Sequence, residues 1–452
     1  MQGIADIPTP RIKDLASDRH FVDSLQMANC LTVWLNGGLT GHLSQAENGS
    51  LTFRYDDGYR SSLSPTPLSL SLPLTRDTHP HDSIFPWIDN LMPDNGRVRA
   101  RWAVEFEEVN PTPFALLSHI GLDCAGAVQF FDESNAPGDT RDTGEFTRLT
   151  EADIAARLRA LRKDDISWTV KNSGDRWSLS GQQGKFALSL NEGEWGIPTG
   201  SAPSTHIVKV GISHLDESDA AEFVTMRAAS HLGLNVARVE LMRFEDQSAV
   251  VVERFDRRSA PGTWPPDRVH QEDFCQALGL PRHQKYQADG GPTLPVIAET
   301  VGRAVGGRRA ESARHALAEA ALFNWLVAGT DAHAKNFALI HVGGTSALAP
   351  LYDLMSAALV LPPREVFYKG KLAMKIAGEY GLRRISWPQI ETAAAELQVD
   401  ADWLIERGHK MHAAMPEAFA KAVADAGEAI VPATGERFIE AIEERARQTR
   451  PV

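Results

Sequence analysis

The chain has 452 residues, 43% of them hydrophobic and 23% charged, enough to bury the cores of two or three soluble domains. A formal net charge of −13 argues against autonomous nucleic-acid binding, which needs a basic face. The three cysteines, Cys30, Cys124 and Cys275, form no CxxC pair, so neither a zinc site nor a disulfide framework is indicated. The first twenty residues carry Asp6, Asp14, Asp18, Pro8 and Pro10 but no apolar core. No run of about eighteen apolar residues occurs elsewhere. A cytoplasmic protein with no membrane partner is expected.

Residues 1–28 are punctuated by proline and aspartate and are expected to form an N-terminal extension. From Asn29 the pattern turns β-like. Cys30–Leu35, Leu39–Leu43 after a Gly37-Gly38 turn, and Leu51–Tyr55 predict a meander. Pro65–Pro73 reads as extended. Helical signal runs from Ile84 to Ser118 with breaks at Pro93, Pro111 and Pro113, followed by a strand over Ala125–Phe131 and a loop over Asp132–Thr143. Thr150-Glu151-Ala152-Asp153 opens a helix with a capping-box pattern.

From Trp177 to Arg258 the order is strand, glycine turn, strand, strand, helix, strand, strand. After Pro265-Pro266 the apolar spacing is helical to about Arg447, apart from loops around Gly290-Gly291, Gly343-Gly344 and Pro362-Pro363. These segments divide the chain into 1–28, a β-rich subdomain over 29–140, an α/β nucleotide-binding part over 141–262, and a helical catalytic lobe over 263–452. The fold class is α+β, a two-lobed kinase-like fold. Its N-terminal portion is mixed α/β and its C-terminal lobe mainly α-helical.

The most informative stretch is Gly329-Thr330-Asp331-Ala332-His333-Ala334-Lys335-Asn336-Phe337, with Leu351-Tyr352-Asp353 shortly after. Phosphoryl transfer needs one carboxylate to orient a hydroxyl, and a second carboxylate plus an amide oxygen to hold Mg²⁺. Protein kinases place the base Asp and the metal-binding Asn five residues apart, then supply the second carboxylate further along. Asp331, Asn336 and Asp353 reproduce that order. His333 and Lys335 stand in the same loop, within reach of phosphates. A transition-metal site would need three or four protein ligands, and only Asp331 and His333 are local.

Upstream segments supply the other parts. Ser180-Gly181-Gln182-Gln183-Gly184-Lys185 is a glycine-containing turn suited to phosphate, although it matches neither Walker A nor GxGxxG and also reads as an ordinary β-turn. Ser204–Val210 reads as a strand ending near Lys209, which is either a solvated charge or a phosphate lysine whose best candidate ion-pair partner is Glu222 in the helix Asp219–Leu232. Val250–Asp256 reads as a hinge strand offering Glu253 and Phe255 to an adenine, or as an edge strand with a charged end.

These stretches, in this order, resemble the HipA family of bacterial serine/threonine kinases, the toxin halves of toxin–antitoxin pairs. The resemblance extends to Pro67–Leu74, Phe85–Asn95 with Asp89-Asn90-Leu91-Met92-Pro93-Asp94-Asn95, Gly121–Val128, Gln271–Gly279, Lys285-Tyr286 and Asp289–Pro292, and covers roughly residues 30–445. It implies ATP and Mg²⁺ as cofactors, Asp331 as catalytic base, and Asn336 and Asp353 as Mg²⁺ ligands. Lys209 and the Ser180–Lys185 loop would hold phosphates, Glu253 and Phe255 would meet adenine, and His333, Lys335 and Tyr352 would complete the nucleotide site. It further implies autophosphorylation of a loop serine, with Ser178 the best match and Ser180 the other hydroxyl within reach. Gly184 and Phe186 depart from the family's usual residues. The implied partners are a HipB-like helix-turn-helix antitoxin, operator DNA only through that antitoxin, and a protein substrate of the aminoacyl-tRNA synthetase class, glutamyl-tRNA synthetase above all. The rival readings are a non-catalytic co-repressor that binds an antitoxin on operator DNA, and phosphotransfer to a small molecule.

Overall fold

Leu31, Val33 and Leu35 of β1 (Asn29–Leu35) are buried while the residues between them are half-exposed, as a strand packed on one face requires. The computed structural model describes residues 29–132, 146–169, 177–258 and 263–451. The expected extension 1–28 and most of the expected loop 132–143 lie outside the described residues. β2 (Gly38–Gln45), β3 (Leu51–Tyr55), β4 (Thr78–Pro80) and β5 (Val128–Phe131) join β1 in an antiparallel sheet of order β4-β3-β2-β1-β5.

The first turn is Asn36-Gly37 rather than Gly37-Gly38. Both residues have positive φ (53° and 76°), the two-residue hairpin geometry that Asn-Gly favours, and Gly38 already pairs with Leu35. The helical stretch resolves into α1 (His81–Asp89), α2 (Gly96–Glu105) and α3 (Pro113–Ile120).

A second antiparallel sheet runs β10-β11-β9-β7-β8-β6. Its strands are β6 (Phe146–Arg148), β7 (Lys185–Asn191), β8 (Glu194–Pro198), β9 (His206–Lys209), β10 (Val239–Phe244) and β11 (Gln247–Glu253). The helix α4 (Glu151–Lys163) opens at Thr150 with the predicted capping box, in which Asp153 N–H donates to the Thr150 hydroxyl and Thr150 N–H donates to the Asp153 carboxylate. Between β9 and β10 lies α5 (Ser218–His231).

The C-terminal lobe is mainly helical, built on α6 (Leu294–Val305), α7 (Arg309–Val327), α8 (Trp387–Leu397), α9 (Ala401–Asp425) and α10 (Pro432–Gln448). The expectation of helices broken only by loops after Pro266 was incomplete, because short strands also occur there. β12 (Arg257–Arg258) and β13 (Asp267–Arg268) form a two-stranded ribbon beside this lobe. A three-stranded sheet of β14 (His270–Asp273), β15 (Ala338–Val342) and β16 (Thr345–Leu348) frames the predicted catalytic loop. A further ribbon pairs Lys371–Ile376 with Glu379–Gly381. β14 reads His-Gln-Glu-Asp and buries three of its four residues in polar pairs, so no apolar alternation announces it. No helix among the described residues is long and apolar enough to cross a membrane.

Two hydrophobic cores result. One joins both N-terminal sheets, from Leu31 to Val251, and the other joins α5 to the C-terminal helices, from Ala220 to Ile442. Their boundary is pinned by a buried charge network. Asp123 accepts from Arg257 (2.7 Å), Arg268 (2.7 Å) and Arg254 (3.3 Å), while Asp256 accepts from Arg254 (2.9 Å) and from the Gly126 N–H (2.6 Å). Burial alone would raise the Asp123 pKa, but the three guanidiniums hold it well below the usual carboxylate range. Asp123→Asn leaves Arg268 without its carboxylate partner and leaves the buried Arg254 and Arg257 to share Asp256 alone. It is expected to lower the unfolding free energy by roughly 3–5 kcal/mol, read from urea or guanidinium denaturation.

Candidate active site

Between the two cores opens a cavity of about 770 Å³, within the size range of small-ligand sites. Every candidate catalytic, nucleotide, metal and ion-pair residue read from the sequence lines it, apart from Ser178.

Lys209 ends β9, in register with Val250 on one side and Lys185 on the other. Its ammonium lies 2.7 Å from Glu222 on α5 and 2.6 Å from Asp353. Burial would lower the Lys209 pKa, but the carboxylates of Asp353 and Glu222 raise it above its ordinary value. Burial likewise raises Glu222, whereas at Asp353 the pull of Lys209 and then Lys185 outweighs burial and keeps the carboxylate ionised. Asp353 has φ 58°, a left-handed conformation that costs about 1–3 kcal/mol for a residue other than glycine. It is held there by Lys209 and by pairing of the neighbouring Leu351 with Asn235 and Ala237.

The glycine loop does not lie between two strands, as the sequence suggested. On its N-terminal side Trp177 makes only an isolated bridge to Asp123, and Gly181 bridges Pro93. Lys185 folds back over the loop, donating to the Ser180 carbonyl (2.7 Å) with its ammonium 5.5 Å from the Trp168 ring centre. Burial, reinforced by Lys209, brings the Lys185 pKa down to about 8. Gly181 has φ 103°, and a Cβ there would sit 2.6 Å from the Lys185 ammonium, so the turn requires glycine. Gln183 ties the loop down by donating to the Val210 carbonyl (2.7 Å). Ser180 lines the cavity, whereas Ser178 is fully buried and its hydroxyl donates to the Leu91 carbonyl (2.8 Å).

The helix α7 delivers the catalytic loop. It stops at Ala328 in a left-handed conformation, and a Cβ on Gly329 would meet the Asn324 side chain at 2.3 Å. Asp331 faces the cleft and accepts from the Tyr286 hydroxyl (2.6 Å). Its crowded surroundings raise its pKa, opposed by the Tyr286 hydrogen bond. The Asn336 amide NH₂ donates to the Asp331 carbonyl (2.9 Å), leaving its side-chain oxygen as the donor atom for a cation. His333 is buried edge-on to Tyr286 with its Nδ1 unpartnered, and burial, reinforced by Lys285, pushes its pKa down to about 3.

Lys335 lines the cavity, but its ammonium is turned to Asp94 (2.8 Å), which also accepts from Lys285 (2.9 Å). Tyr352 donates to the Lys335 carbonyl (2.6 Å) and packs on Phe255, ring centres 5.5 Å apart. Glu253 is exposed; its N–H donates to the Arg238 carbonyl (2.9 Å) and its carboxylate faces the Arg238 guanidinium. Among the described residues no group of three or more His, Cys, Asp or Glu side chains is disposed to hold a metal ion. Sequence reasoning gave no role to Tyr286, Lys285, Asp94 or Asp123. Tyr286 meets Asp331 across 45 residues and Asp94 meets Lys335 across 241, so no local spacing could have paired them.

Known proteins are similar to this chain in sequence and fold. Residues 31–131 match the HipA N-terminal domain family and residues 177–426 the HipA-like C-terminal domain family. A Sinorhizobium fredii protein, Y4mE, is 33% identical over 428 residues, covering 93% of this chain and 98% of its own. The serine/threonine-protein kinase toxin HipA of Shewanella oneidensis is 31% identical over 368 residues, 79% of this chain and 81% of its own. The HipA chain from the solved complex of Shewanella oneidensis HipA, HipB and operator DNA superposes with a TM-score of 0.77 at 26% identity, covering 93% of this chain and 97% of that one. With matches across both lobes and a relative 31% identical over most of both chains, the chain belongs to the HipA family of serine/threonine protein kinase toxins.

Proposed function

We propose that this kinase uses ATP and Mg²⁺ to phosphorylate a serine or threonine on a translation component of the aminoacyl-tRNA synthetase class. A HipB-like antitoxin would restrain it, and operator DNA would be reached only through that antitoxin. The observation that supports the reading most is Lys209, held between Glu222 and Asp353 in the same cavity as Asp331 and Asn336. The solved relative found with HipB and operator DNA supports the partner, and the net charge of −13 suits contact with DNA through another protein. The cytoplasm is the proposed location. The working division of the chain remains 1–28, 29–140, 141–262 and 263–452.

The cavity suits a nucleotide on its own chemistry: two lysine ammoniums on adjacent strands, a turn whose positive φ at Gly181 favours glycine, and an unpartnered His333 nitrogen in the wall. ATP would supply the phosphoryl group, and Mg²⁺ would neutralise the charge that develops on it. Asn336 and Asp353 would hold the metal, with phosphate oxygens and water completing its shell, as Mg²⁺ prefers. Lys209 and Lys185 would hold phosphates, and the loop Ser180–Lys185 would fold around them. Phe255 and Tyr352 would pack on adenine beside Glu253. Lys335 would act through Asp94 rather than on phosphate.

Asp331, oriented by Tyr286, would take the proton of the acceptor hydroxyl as the oxygen bonds to phosphorus. Autophosphorylation on the loop would reach Ser180 directly, while Ser178 would first have to leave its hydrogen bond to Leu91.

Replacing Asp331 by Asn is expected to reduce phosphate transfer by about 10²–10⁴-fold while ATP binding persists, read as radiolabel on protein from labelled Mg-ATP. Wild-type protein that labels neither itself nor any protein of a cell lysate would overturn the reading, and label confined to small metabolites would favour the small-molecule alternative.

A second expectation concerns pH. Lys185 loses its proton as pH rises through about 8, so affinity for an ATP analogue should weaken from pH 7 to pH 9, followed by calorimetry. Lys185→Arg, which stays charged, should flatten that profile.

A further inference from the structure

The segment Leu91–Asn95 belongs to the N-terminal subdomain, carries none of the chemistry described above, and yet touches both halves of the cleft. Its backbone meets the glycine loop. The Asp94 N–H donates to the Gly181 carbonyl (2.8 Å), Pro93 bridges Gly181, and the Leu91 carbonyl accepts the Ser178 hydroxyl. The side chain of Asp94 meets the catalytic loop from the other side, one oxygen accepting from Lys335 and the other from Lys285.

Lys335 directly precedes Asn336. Lys285 directly precedes Tyr286, whose hydroxyl holds Asp331, and the Lys285 carbonyl accepts the Ala334 N–H (3.1 Å). The segment is itself anchored. Asp89 accepts from Arg99 (2.5 Å) and faces Arg282 (3.3 Å), and the Asn90 amide donates to the Leu280 carbonyl (2.9 Å).

The carboxylate and both ammoniums are almost wholly buried, with side-chain exposures of 6% for Asp94, 10% for Lys285 and 3% for Lys335. Burial alone would raise the Asp94 pKa, but Lys335 and Lys285 hold it well below the carboxylate range, so it is ionised at neutral pH. A buried ion group adds little net stability over a well-packed apolar one, while it does fix the geometry of the groups it joins.

We infer that Asp94 is a positioning residue that locks the catalytic loop and Tyr286 against the glycine loop, so that phosphoryl transfer by the C-terminal lobe depends on the N-terminal subdomain. The inference rests on the kinase reading. It accounts for the Pro93-Asp94-Asn95 motif and for Lys285, which otherwise have no task in the mechanism.

The test uses the full chain with Asp94→Asn, measuring turnover from labelled Mg-ATP and ATP affinity by calorimetry. Turnover is expected to fall about 10–100-fold, because small displacements of reacting groups are enough for such losses. ATP affinity should stay within about a factor of three, since Lys209, Phe255 and Tyr352 are untouched. A second variant, Asp94→Asn with Lys335→Met, restores the local charge balance of one excess cation without restoring the tie.

It should remain slow. It also answers the same question if the single variant does not fold. Wild-type turnover in either variant, or a loss carried wholly by ATP affinity with kcat unchanged, would overturn the inference. Wild-type protein without any transfer would instead sink the kinase reading, a separate outcome.

Discussion

A buried ammonium must be paired, and Lys209 is paired twice. Leaving it without a partner would cost several kcal/mol, so β9, α5 and the turn at Asp353 are obliged to meet at one point. β9 packs in the N-terminal core and α5 in the C-terminal core, which makes this ion group the junction between them. The same contacts hold Asp353 in its left-handed conformation. Strain at a single residue is tolerable because three elements over-determine its place.

The two carboxylates of the cleft are shifted in opposite directions by their environments. Asp353 sits against lysines and is kept ionised, which suits a metal ligand. Asp331 sits in a crowded mouth with a tyrosine hydroxyl for company, and its pKa rises, which suits a group that must accept a proton and later give it up. His333 stays neutral beside them because burial and Lys285 both disfavour its charged form. The cleft thus contains both signs of charge, although the chain as a whole is strongly acidic.

The parts of this arrangement that were legible in the sequence are the local ones. The Asp331–Asn336 spacing, the Thr150 capping box and the lysine at the end of a short strand are each set by neighbours within a few residues. β14 and β15 escaped because their buried positions include His270, Glu272 and His341, polar residues that find partners far along the chain. The Asp123 network and the Asp94 tie escaped for the same reason. The first turn was misread by one residue because Gly37 and Gly38 look alike in sequence, whereas only Asn36 and Gly37 carry positive φ. The aromatic packing of Trp102, Trp168 and Trp177 that supports the root of the glycine loop is also a product of distant segments.

The long reach of Asp94 has a consequence for how the protein is made. Its lysine partner Lys335 lies 241 residues later in the chain. At ribosomal speeds of about 5–20 residues per second, Asp94 emerges on the order of tens of seconds before the group that neutralises its surroundings exists. The N-terminal sheet can close in that interval, but the cleft cannot. A chain arrested between Val251, the last residue of the first core, and Lys335 would therefore hold all of that core but not all of the cleft, so synthesis past Lys335 and Asp353 sets the earliest moment of activity.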